Sequence, residues 1–136
     1  MIKPICKDTF ILIRKSVPAT EADMPVVNDL LDTLKANADR CVGMAANMIG
    51  VSKRIIVFSI GTMNIPMLNP AIVKHTDSYE AEEGCLSLDG VRKTIRYRTI
   101  DVEFLNRKFE KQKQTFTGFP AQIIQHEIDH CNGILI

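Results

Sequence analysis

No apolar run in this 136-residue chain approaches the ~20 residues that a membrane-spanning helix needs. A membrane span is therefore not expected. The N-terminus lacks the apolar core and small-residue cleavage site of a secretory signal, its one apolar patch being flanked by Lys3, Lys7, Arg14 and Lys15. That absence predicts a cytoplasmic protein. Excess charge of either sign is missing too. The 17 basic and 16 acidic residues leave a formal charge of +1, which removes the electrostatic reason to expect a nucleic-acid or anionic-membrane partner. Cysteines are few and irregularly spaced, at positions 6, 41, 85 and 131, which argues against a disulfide framework in a reducing compartment. Histidine is scarcer still, with three in the chain. Two of them stand four residues apart.

What is present is an ordinary globular composition, 46% hydrophobic and 24% charged, of a length suited to one domain over residues 1–136. There are no internal repeats, low-complexity tracts or linkers. Val26, Val27, Leu30, Leu31 and Leu34 recur with helical period, and Pro25 falls in the first turn, so a helix is predicted over residues 23–38. Residues 54–60 and 66–73 are short β-branched runs separated by Gly61 and Asn64, which predicts two strands joined by a turn. In residues 98–106, Ile100, Val102 and Phe104 alternate with Asp101 and Glu103, the pattern of a strand with one wet face. Residues 111–117 read as a polar edge strand, joined to it through Asn106, Arg107 and Lys108. After Gly118, Phe119 and Pro120, a last helix is predicted over residues 120–131. The fold class is thus α+β, with antiparallel β-sheets around a C-terminal helix.

That last helix carries the sharpest motif, His126-Glu127-Ile128-Asp129-His130. Residues four apart lie on one helical face, so His126 and His130 can direct two imidazoles at one cation. Glu127, beside that face, suits a carboxylate that takes a proton from water, as in H-E-x-x-H hydrolases. A catalytic metal usually has three protein ligands. Only six residues follow His130, and Cys131 points about 100° away around the helix, so the third ligand is expected upstream. Cys6, Cys41, His75, Cys85 and several carboxylates are available. Cys85 is preferred because Gly84, beside it in a turn-like segment, lets backbone approach an ion closely. This combination predicts a metallohydrolase. Helical geometry also places Ile123, Gln122 and Phe119 on the metal-facing side, one to two turns before His126, where a substrate side chain can dock. An amide at position 122 in an apolar pocket needs a hydrogen-bond partner.

Three blocks carry a family resemblance. Glu83-Gly84-Cys85-Leu86-Ser87 resembles the E-G-C-L-S motif of peptide deformylases, and the helical motif resembles their H-E-x-D-H. Cys41-Val42-Gly43-Met44-Ala45-Ala46-Asn47-Met48 is similar to their G-x-G-x-A-A-x-Q. The blocks stand in the family's order and spacing and cover most of the chain. The resemblance implies a cytoplasmic metal-dependent hydrolase that removes the formyl group from the N-terminal formyl-methionine of newly made polypeptides. It implies one divalent ion on Cys85, His126 and His130, usually Fe(II), with Zn(II), Ni(II) or Co(II) able to occupy the site. It implies Glu127 as the proton-transferring carboxylate and the backbone N–H of Leu86 as an oxyanion donor. Val42 and Gly43 would lie beside the peptide. The expected partner is a formyl-methionyl peptide or nascent polypeptide, with a monomeric enzyme and no nucleic acid or membrane involved.

The chain departs from the family pattern at two places. The motif glutamine, the family's second oxyanion donor, is Met48, and a thioether cannot donate a hydrogen bond. The neighbouring Asn47 has an amide, but adjacent side chains on extended backbone point in opposite directions. The first motif glycine is Cys41, which adds a side chain to the cleft. From these departures comes an alternative, a weakly active or inactive paralogue that binds metal and formyl-peptides. Two supporting roles are also expected: Arg92 and Arg96 pairing with Glu83, and Asp129 orienting groups behind the ligands.

Overall fold

A computed structural model describes residues 1–136. Its elements run α1 (Thr9–Leu12), α2 (Met24–Ala36), β1 (Gly43–Ala45), β2 (Ile55–Ile60), β3 (Met63–Cys85), β4 (Leu88–Leu105), β5 (Lys111–Thr117) and α3 (Gly118–Cys131). The five strands form one continuous antiparallel sheet in sequential order, β1 at one edge and β5 at the other. The α+β class is as expected; the strands make a single sheet rather than several. No helix is long and apolar enough to cross a membrane.

β2 explains how the sheet is covered. Ile56 and Phe58 face α3 and pack with Ile100, Val102, Phe116, Ile124 and Ile128. Ile55 and Val57, on the opposite face by the two-residue period, pack with Val27, Leu30 and Leu34 of α2. The strand is therefore apolar on both faces, which is why residues 55–58 are all buried. α2 begins with Pro25 in its first turn, as the sequence predicts, and ends at Ala36 with Asn37 as its C-cap. β5 matches the predicted span. α3 starts two residues before the predicted position, at Gly118, whose φ of 66° turns the chain out of β5.

The largest departure from the sequence reading is the β3–β4 ribbon. Residues 66–73 and 98–106 are only the buried roots of strands that extend to Cys85 and back from Leu88. Asn64, read as a turn residue, lies inside β3, where Ser59 Oγ donates to its Oδ1 at 2.7 Å. Register shifts between Leu68 and Ala71 and between Ile72 and Lys74 interrupt the alternation on which the sequence reading depends. Asn69, at φ 51°, and Pro70 occupy the first of these irregularities, where a proline does not break the ladder. Beyond them the ribbon is mostly exposed and polar, so periodicity gives no strand signal there.

Candidate active site

α3 and the tip of the β3–β4 ribbon enclose a cleft of about 580 Å³. His126 and His130 project from α3, 8% and 0% exposed, and their Nε2 atoms face each other 3.1 Å apart. Cys85 closes the group from the end of β3, so that one ligand atom from each residue lies within 4.8 Å of the others. Of the donors left open by the sequence, Cys6, Cys41 and His75 do not join this cluster. Cys85 is followed by a two-residue connection, Leu86-Ser87, and the Ser87 N–H donates to its Sγ at 3.5 Å.

The donor set fits a divalent metal. His126 turns its other nitrogen to Glu83, Nδ1 to Oε1 being 2.8 Å, the carboxylate backing usual behind a metal-binding imidazole. His130 Nδ1 is buried with no partner. Burial opposes charge on His126, yet its contact with Cys85 and the charges of Glu127 and Glu83 raise it to about 10. Burial and the adjacent His126 push His130 down to about 3. One thiolate and two imidazoles are an intermediate-to-soft set suited to Fe(II), Zn(II), Ni(II) or Co(II).

Glu83 is the centre of the supporting network. Burial alone would raise its pKa, but hydrogen bonds from His126, Arg96 and Gln122 outweigh that and hold it at about 2. Arg96 donates to it from Nε and Nη2, the latter at 2.6 Å, and from Nη1 to Asp129 Oδ2 at 2.6 Å. The expected Arg96–Glu83 pair is therefore present, and Asp129 acts on it through Arg96. Arg92 is not part of this network; its Nη1 donates to the Asp89 carbonyl.

Glu127 is 4% exposed, and its Oε1 has no hydrogen-bond partner. Burial lifts its pKa to about 7. The carboxylate lies against Gly43: a Cβ built there would stand 2.9 Å from Glu127 Oε2 and 2.7 Å from Ile123 Cγ2. That glycine is needed sterically. Gly84 is not, since a Cβ there meets only ordinary contacts at 3.5 and 3.6 Å and its backbone is not left-handed.

Val42, Gly43, Met48, Leu86, Phe119, Gln122 and Ile123 all line the same cleft. Phe119 is 60% exposed at its mouth and Ile123 is buried. Met48 and Asn47 sit in a 3-10 turn, Ala46–Ile49, not on extended backbone. Met48 Sδ accepts from the Ala45 N–H at 3.5 Å, and Asn47 Nδ2 donates to the His130 carbonyl at 2.8 Å. Asn47 thus turns toward α3 and does not line the cleft, so it does not replace the missing amide. Cys41 is half-buried on the cleft wall; burial and the Glu127 charge push its thiol up to about 11. Sequence reasoning missed two contributors. Glu83 was read only as a partner for arginine, although the two-residue strand period puts it on the same face as Cys85. Tyr79, which donates to Gln122 Oε1 at 3.3 Å, lies in the ribbon segment that carried no signal.

A cysteine and two buried histidines that could hold a metal ion, with a carboxylate one residue after the first histidine, are the donor pattern of a metallohydrolase of the HExxH class. The comparisons narrow that class. The sequence model of polypeptide deformylase matches residues 2–136. A curated peptide deformylase of Clostridium beijerinckii is 60% identical over 136 residues, the whole of both chains. Peptide deformylase 2 of Clostridium acetobutylicum is 40% identical over 129 residues, 92% of this chain and 85% of that one. Among solved structures, a peptide deformylase from Legionella pneumophila superposes with a TM-score of 0.88 at 35% identity, covering 99% of this chain and 83% of the other. A Met-Ala-Ser-bound deformylase from Acinetobacter baumannii gives 0.89 at 28% identity, covering 99% and 97%. The chain belongs to the peptide deformylase family and is a metallo-amidohydrolase. Nothing in these relatives supports the inactive-paralogue reading.

Proposed function

We propose that this protein removes the formyl group from the N-terminal formyl-methionine of newly made polypeptides, acting in the cytoplasm as a monomer built from one domain, residues 1–136. The observation that carries the reading is the convergence of Cys85, His126 and His130 beside the buried Glu127. Those three residues would hold one divalent cation, Fe(II) by family resemblance, with Zn(II), Ni(II) or Co(II) as alternatives. When bound, the cation supplies Lewis acidity, which lowers the pKa of water and polarises the formyl carbonyl.

This chain's own groups do the rest. With a pKa of about 7, Glu127 can take a proton near neutrality and return it to the leaving amine. The Leu86 N–H donates to no protein acceptor and is free for a developing oxyanion. β1 is an edge strand, and Val42 and Gly43 lie where it borders the cleft, so an extended peptide can pair along it by strand addition. Phe119, Ile123 and Gln122 would receive the methionine side chain. Met48 leaves the oxyanion site one donor short of the family pattern, which sets turnover below that of the glutamine form.

The test is formate release from formyl-Met-Ala-Ser by protein purified anaerobically with Fe(II) or Ni(II). Release no faster than that of Glu127→Ala would sink the proposal. Metal content that survives Cys85→Ser would remove Cys85 from the ligand set.

A further inference from the structure

Gln122 is the one neutral amide lining the cleft, and its hydrogen bonds are directional. Its Nε2 donates one hydrogen to Glu83 Oε2 at 2.9 Å, and its Oε1 accepts from the Tyr79 hydroxyl at 3.3 Å. A flipped amide would set Oε1 against the Glu83 carboxylate, acceptor to acceptor, and give up the Tyr79 bond, so the orientation is fixed from both ends. A primary amide carries two N–H groups. The second has no acceptor within the protein. It belongs to a side chain on the cleft wall between Phe119 and Ile123, two residues that offer only apolar surface.

We propose that Gln122 determines substrate specificity: it makes the side-chain pocket select for a hydrogen-bond acceptor near the end of the N-terminal residue, so that formyl-methionine sulfoxide termini are substrates alongside formyl-methionine. The inference rests on the proposed deformylase function and on the side-chain pocket assigned there. A thioether sulfur is a weak acceptor, whereas oxidation of methionine converts the same side chain into a polar one with an S=O oxygen. In a wholly apolar pocket that oxygen loses its water without replacement. Here the free Gln122 N–H replaces it. Norleucine has the shape of methionine and no acceptor, so it reports the apolar contribution alone.

The experiment compares kcat/KM for formate release from formyl-Met-Ala-Ser, its methionine-sulfoxide form and its norleucine form, using metal-loaded wild type and Gln122→Met. Methionine at 122 keeps the volume and removes both N–H donors. The expected result is a sulfoxide-to-norleucine ratio about two- to tenfold lower in Gln122→Met than in wild type, the range for one neutral hydrogen bond. Thioether-to-norleucine discrimination should fall by less. If all three substrates lose activity in proportion, Gln122 acts only by holding Glu83 behind His126, and the specificity role is overturned. An unchanged ratio with unchanged activity overturns it as well. Absence of release from formyl-Met-Ala-Ser by wild type refutes the deformylase function itself, a different outcome from loss of selectivity alone.

Discussion

α3 and the β3–β4 ribbon face each other across one cleft but are held in opposite ways. Nearly all of α3 from Ala121 to Cys131 is buried, and its site residues are fixed by the apolar packing of Ile124 and Ile128 on the sheet. The ribbon's outer half is exposed, Val91 by 69% and Ile95 by 54%, and it turns inward mainly at Glu83, Ser87 and Arg96. There the hold is ionic and directional: Arg96 between Glu83 and Asp129, with Gln122 and His126 on the same carboxylate. The helix therefore presents the two histidines and Glu127, while the ribbon brings Cys85 and the charge network that holds His126.

Substitutions on the two sides should fail differently. Glu127→Gln, on the helix, keeps the shape of the side chain and removes its ability to carry a proton, so turnover should fall by about 10²–10⁴-fold. Its melting temperature should not fall, since a carboxylate with an unpartnered oxygen has been relieved of burial. A large loss of stability in that variant would break the comparison. Arg96→Ala, on the ribbon, leaves Glu83 buried without its guanidinium and should cost about 3–5 kcal/mol of stability, measured by urea unfolding, with metal retention weakened in parallel. If unfolding is unchanged, the ionic account of the ribbon is wrong.

Smaller effects sharpen the same contrast. Met48→Gln should raise kcat by up to about 10²-fold, the reverse of removing one oxyanion donor, with little change in KM. Gly43→Ala drives a methyl against Ile123 and Glu127 and should cost about 1–3 kcal/mol while lowering kcat, as the carboxylate is displaced. At neutral pH, iodoacetamide should alkylate Cys41 and Cys131 more slowly than a free cysteine, as both thiols stay protonated: burial pushes Cys131 up to about 12, and burial with the Glu127 charge pushes Cys41 to about 11. Mass spectrometry of partly modified protein measures this directly.

How far the sequence could be read follows from the range of the forces involved. Helical period alone put His126 and His130 on one face, Glu127 next to it, and Phe119, Gln122 and Ile123 one to two turns before, because an α-helix fixes its own geometry through bonds four residues apart. The apolar roots of β2, β3 and β4 and the whole of β5 were legible for the same local reason. The outer ribbon was not, since its strands are held by cross-strand pairing between residues such as Thr76 and Thr99 that lie well apart in the chain, with no buried face to impose an alternation. The cluster of Cys85 with histidines 41 and 45 residues later, the tie from Tyr79 through Gln122 to Glu83, and the hydrogen bond of Asn47 to the His130 carbonyl all depend on contacts between separate elements. The sequence by itself determined which residue types carry the chemistry and how α3 presents them. Only the tertiary structure decided what each is held by, because burial and hydrogen-bond geometry are properties of the packed chain and not of any segment of it.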